Sequence, residues 1–170
     1  TCDVARWDSV NTHGTVGPVS LEIPNTGLFS EPRSGIKKVV VTFNGTINAA
    51  TATAANVVVC GNDSAGSAVN LGGVAIAGAA ISGNTQMEIN FTPGLPNFAR
   101  YKIALSGVEC SGGGAAQGGA GGLSRILTAL QGDANGDRRV TATDLGGARS
   151  LVPTDPIDPA ILNQVRSDAN

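Results

Sequence analysis

The chain has 170 residues, 24 of them glycine, with 41% apolar and 14% charged residues and a formal net charge of -2. That length suits one ordinary domain, or one domain with a small appendage. The charge argues against a nucleic-acid binder, which needs a basic face, and no run of about 18 apolar residues predicts a membrane-inserted helix.

Thr1 stands where a translation start would carry Met, and no signal peptide is present, so a mature or excised piece of a longer precursor is expected. Most of the chain alternates with period two, the mark of strands with one buried face. Val19, Leu21 and Ile23 alternate with polar neighbours. Val39, Val41 and Phe43 alternate with Lys38, Val40 and Thr42, Met87, Ile89 and Phe91 with Glu88, Asn90 and Thr92, and Tyr101, Ile103 and Leu105 with Lys102 and Ala104. Residues 56–60 and 73–76 are shorter apolar runs, read as central or edge strands. Turn-formers separate these runs at 24–27, Asn44-Gly45, 61–63, 82–84 and Pro93-Gly94. Short strands with turns between them predict a mostly β protein, an antiparallel β-sandwich.

Residues 111–122 (SGGGAAQGGAGG) are low in complexity and read as a long flexible loop between the last two strands. They lack the Gly-Lys-Ser/Thr ending of a phosphate-cradling loop. Residues 123–130 fit two descriptions. Leu123, Ile126, Leu127 and Leu130 have helical spacing, whereas a strand would put Ile126, Thr128 and Leu130 on one face. The strand is preferred, because the sandwich otherwise lacks a closing strand.

The stretch GDANGDRRVTATDL from Gly132 carries the strongest chemical signal. Asp133, Asn135, Asp137, Thr141 and Asp144 fall at positions one, three, five, nine and twelve of a twelve-residue calcium loop, and Arg139 at position seven would offer its carbonyl. Hard cations want a compact set of oxygen donors, which this spacing supplies. Position six, ordinarily glycine, is Arg138. A non-glycine residue in a left-handed conformation costs about 1–2 kcal/mol, so calcium binding is expected, though looser than in a glycine-containing loop. A short helix is predicted over 144–152, with Leu145, Ala148, Leu151 and Val152 on one face. A second starts from the N-cap Asp158, with Pro159 at its first position.

The loop and the helix entry resemble the type I dockerin repeat, whose pattern is Asp-x-Asn-x-Asp-Gly-x-Val/Ile-x-x-x-Asp. Arg138 is the one clear departure. Asp168 and Asn170 look like the start of a second repeat that the chain does not complete. The resemblance implies that Ala142 and Thr143 help select a cohesin-like protein partner. Residues 1–131 resemble a bacterial immunoglobulin-like domain, on the stretches VVVTFNGTINAATATAANVVV and INFTPGLPNFARYKIALSGV. The implied organisation is an immunoglobulin-like β-sandwich over 1–131 and a small helical calcium-loop, dockerin-like appendage over 132–170.

Of the three cysteines, Cys2, Cys60 and Cys110, none forms a zinc pattern. One disulfide with a thiol left over, or three buried thiols, both fit the count. The immunoglobulin-like topology implies that Cys2 lies near Cys110 and leaves Cys60 as a buried thiol. His13, the only histidine, is expected in a loop, with no nucleophile signature around it. Arg33, Lys37, Lys38 and Arg100 read as solvated strand faces. Tyr101 falls on a core face and Trp7 reads as core cover, which leaves little for an aromatic sugar platform. The sequons at Asn44, Asn62 and Asn90 read as chance. The expectation is therefore a non-catalytic, secreted or cell-surface attachment or spacer module with structural calcium. The alternative is a carbohydrate-binding accessory module of a secreted polysaccharide-degrading enzyme.

Overall fold

The computed structural model describes residues 1–13, 17–25, 29–33 and 35–145. Among the described residues there are nine strands: β1 Val4–His13, β2 Gly17–Glu22, β3 Phe29–Glu31, β4 Ile36–Phe43, β5 Val57–Asp63, β6 Ala75–Ile81, β7 Gln86–Leu95, β8 Ala99–Leu105 and β9 Ser124–Ala129. They form two sheets. The five-stranded sheet runs β2-β1-β4-β7-β6 and the four-stranded sheet β3-β9-β8-β5. The architecture is mostly β, as the alternating pattern predicts, and is consistent with a two-sheet sandwich.

The alternation decides which side chains face inward. Val39, Val41, Phe43, Met87, Ile89, Phe91, Tyr101, Ile103 and Leu105 are all buried in one core, together with Trp7. Their polar neighbours on the same strands face out, because successive side chains point to opposite faces of a strand. Gly61 on β5 sits against the Tyr101 ring, where a Cβ would come within 2.4 Å of it. Only glycine leaves room for that ring against β5. The Tyr101 hydroxyl donates to the Pro96 carbonyl at 2.7 Å, and burial pushes its pKa from 10.0 up to about 12.

Several sequence expectations need correction. The sandwich is not wholly antiparallel, since β3 pairs parallel with β9. The chain leaves β2 in one sheet and enters the other beside the last strand, so its direction is set by the crossing. Residues Pro93-Gly94 lie within β7, not in a turn. Opposite them β4 advances only from Lys38 to Ile36 while β7 runs from Asn90 to Leu95, so β7 bulges there. Residues 124–129 form a strand as preferred, but its inward residues are Arg125, Leu127 and Ala129, and Ile126 is exposed. His13 is the last residue of β1 rather than a loop residue.

The low-complexity segment before β9 is tied to the first strand. The N–H of Val4 donates to Gln117 O at 2.9 Å, and the N–H of Gly121 donates to Val4 O at 2.7 Å. The indole of Trp7 donates to Gly122 O at 3.0 Å. A Cβ at Gly121 would come within 2.5 Å of Val4, which gives this glycine a packing reason. Cys2 and Cys110 form a disulfide across the same region, closing 108 residues of sequence, as the topology implied. Cys60, expected to be buried, is instead exposed, because it takes an outward position on β5.

Arg33 is the largest departure. It is 1% exposed rather than solvated. Its guanidinium meets the buried Glu31 carboxylate through Nε–Oε1 and Nη2–Oε2, both at 2.7 Å. It also donates to Val19 O at 2.8 Å and Ser9 O at 3.2 Å, and the Ser9 hydroxyl donates to Glu31 Oε2. Such a buried pair is tolerated because almost every polar atom has a partner. It joins β3 of one sheet to β1 and β2 of the other.

Candidate functional site

The segment expected from its sequence to be a calcium loop begins where β9 ends. Its root is held by Leu130 N–H to Glu31 O at 3.2 Å and Gly132 N–H to Pro32 O at 3.0 Å. The Gln131 N–H donates to Asn97 Oδ1 at 3.0 Å. The loop then turns on its own side chains. Asp133 is fully buried. Its Oδ1 accepts from Gly136 N–H and its Oδ2 from Arg138 N–H, both at 2.8 Å. Asn135 Oδ1 accepts from Asp137 N–H at 2.8 Å, and Asp137 Oδ1 from Arg139 N–H at 2.9 Å. Polar side chains spaced by two thus fold the backbone through consecutive Asx-type turns.

Arg138 has φ 68. The left-handed turn expected at loop position six is present, and a non-glycine residue occupies it. The Asp133 carboxylate holds that turn by accepting the Arg138 amide.

The far end is a reciprocal helix cap. Thr141 Oγ1 accepts from Thr143 N–H at 3.2 Å, while Asp144 Oδ2 accepts from Thr141 N–H at 2.8 Å. This is a capping box, with Thr141 as N-cap and Asp144 three residues on. The helix therefore starts at Ala142, two residues before the predicted 144, and 142–145 is its described part. Asp144 is 3% exposed, and its Oδ1 reaches back to Asn135 N–H at 3.3 Å. Burial alone would raise the Asp144 pKa. Hydrogen bonds from the Thr141 and Asn135 amides, the Thr141 hydroxyl and the Ala134 amide outweigh burial and hold it below 3.8.

The segment thus brings the Asp133 and Asp144 carboxylates into the interior of the loop, with Thr141 beside Asp144. Asp137 and Asn135 are exposed, and the Asn135 amide donates to Asp137 Oδ2 at 3.1 Å. Among the described residues, no group of three or more His, Cys, Asp or Glu side chains is gathered tightly enough to hold a metal ion. The donor chemistry nevertheless fits a hard cation. All side-chain donors are oxygens, and the two buried carboxylates are met by amide and hydroxyl donors rather than by Lys or Arg side chains. Ala142 and Thr143 are exposed on the first helical turn. Leu145, expected on a buried helix face, is 61% exposed. The rest of that helix, the Asp158–Pro159 helix start and the second-repeat residues Asp168 and Asn170 lie outside the described residues.

One side chain that sequence reasoning passed over stands beside the loop. Phe98, between β7 and β8, is 64% exposed and has φ 57. With Arg138 it lines an open cleft of ≈ 340 Å³. Nothing in the local pattern around Pro96-Asn97-Phe98 marks an exposed ring. Among the described residues, no helix is long and apolar enough to cross a membrane.

No family model and no curated protein matches the chain. Among solved structures, the N-terminal part of the bacterial S-layer protein SbsC is similar at a TM-score of 0.41 and 14% identity, over 61% of this chain and 23% of that one. A likeness at that level assigns no function, and the chain spans less than a quarter of that protein's solved chain.

Proposed function

We propose that the chain is a non-catalytic extracellular module whose C-terminal loop takes calcium as a structural ion. Asp133, Asn135, Asp137, Thr141 and Asp144 would supply side-chain oxygens, and Arg139 its carbonyl. The single observation that carries this reading is the pair of buried carboxylates, Asp133 and Asp144, held in a turn by backbone amides without a cationic side chain. A divalent cation bound there offsets their charge and adds its binding free energy to the stability of the loop. The role is spacing or attachment, with Ala142 and Thr143 as candidate contacts for a cohesin-like partner. A secreted or surface location suits both calcium and the Cys2–Cys110 disulfide.

Thermal unfolding with calcium and with chelator tests this directly. At calcium about 100-fold above its dissociation constant, the calcium-dependent transition should gain about 2.7 kcal/mol, with the transition of the sandwich unmoved. If no transition responds to calcium, the reading is wrong.

A further inference from the structure

Two bulky non-glycine residues among those described have left-handed backbones, Phe98 at φ 57 and Arg138 at φ 68. They are forty residues apart in sequence, and both line the same ≈ 340 Å³ cleft, with Asn62, Asp63, Arg100, Thr128 and Leu130; the Asp63 carboxylate there already accepts from the Ala65 and Ser67 N–H groups through Oδ1. Bulky residues adopt that conformation rarely, and such outliers concentrate where side-chain placement matters more than backbone ease. The other two positive-φ residues, Ser82 and Asn84, are small polar residues in a tight turn. The Phe98 ring is exposed, and neither Arg100 nor Arg138 has a side-chain hydrogen bond or ion pair among the described residues.

We propose that this cleft binds an acidic saccharide. The Phe98 face offers a platform for the apolar face of a sugar ring. Asn62 and Thr128 supply hydrogen-bonding groups in the lining, and two unpaired guanidinium groups, which outnumber the Asp63 carboxylate, match a sugar carboxylate in the bidentate geometry arginine favours. An acidic peptide would share the charge, but an extended peptide needs free strand backbone. At this end of β5 that backbone is already engaged. The Val69 N–H donates to Gly61 O, and the Asp63 N–H to Ser67 O, both at 2.9 Å. The departure at loop position six thereby acquires a reason: Arg138 weakens the calcium turn and arms the cleft. The inference goes beyond the spacer role and touches the calcium reading only through Arg138. Phe98 and Arg100 do not depend on it.

The test is calorimetric titration of the calcium-loaded full chain with a short hyaluronan oligosaccharide, its methyl-esterified form and an acidic peptide. The carboxylate form should bind and the ester should bind at least about tenfold more weakly. Phe98→Gly should keep or raise the melting temperature, because glycine relieves the backbone, while weakening binding about tenfold. Arg138→Gly should tighten calcium and weaken the saccharide. Equal binding of the ester, preference for the peptide, no saccharide binding at all, or variants that bind like the parent would each overturn the proposal. Calcium titration of the same samples reads the loop separately, so failure of one reading is distinguishable from failure of the other.

Discussion

The sandwich and the segment from Gly132 to Leu145, which we propose to bind calcium, are stabilised by different physics. The sandwich buries Trp7, Tyr101, Met87, Ile89 and Ile103 completely and is cross-linked from Cys2 to Cys110. The segment from Gly132 to Leu145 buries two carboxylates and leaves Val140 and Leu145 exposed, at 53% and 61%. One region excludes water from apolar surface. The other arranges amide dipoles around charge. Changes to the first should therefore be felt globally and be indifferent to calcium. Changes to the second should be local and should depend on it.

The largest expected effect tests the exception inside the sandwich. Arg33→Ala would leave Glu31 buried and unpaired, and should cost about 3–5 kcal/mol, read as a lowered denaturation midpoint without change in calcium response. A double apolar replacement of Glu31 and Arg33 should recover much of that loss, since the pair's own desolvation cost goes with it. If Arg33→Ala is neutral, the pair is not the buried link described. Next comes the disulfide. Cys2→Ser with Cys110→Ser should cost about 2–5 kcal/mol, because the closed loop is long. Chemical denaturation reads this, and the loop's calcium affinity should stay constant.

A smaller effect comes from Tyr101. Its folded pKa lies above its unfolded value, so its contribution to stability is complete below pH 10.0 and is lost as pH rises toward about 12. The loss should be of order 2 kcal/mol at the upper end. Tyr101→Phe should flatten that alkaline decline, and an unchanged decline would show that other groups cause it. The smallest change belongs to the loop. Arg138→Gly should strengthen calcium binding by about 1–2 kcal/mol, about tenfold, by relieving the left-handed turn. An unchanged affinity would show that the turn at φ 68 is not a burden to the loop.

The two regions were legible in the sequence for different reasons. Inward faces of β4, β7 and β8 could be read residue by residue, since a period of two is a local property and a buried face enforces it. The turn at loop position six was equally legible, since Asp133, Asn135 and Asp137 shape their own backbone within a few residues. The capping box at Thr141 and Asp144 was written in the chain as Thr-x-x-Asp, but the metal pattern overlaid it and displaced the helix start by two residues. Arg33 was misplaced for a different cause. Composition puts arginine at the surface by default, and only a partner that buries with it reverses that preference.

By itself the sequence determined the β class, the inward faces of three central strands and the self-capped turns of the loop. Each rests on neighbours a few residues apart. Only the tertiary structure decided that β3 runs parallel to β9, that Glu31 and Arg33 face Ser9, that Cys60 points outward, and that Phe98 and Arg138 share a cleft. These pairings join residues on different strands and loops, where many arrangements satisfy the same local pattern. The choice among them falls to the packing of the whole core and the pairing of every buried polar group.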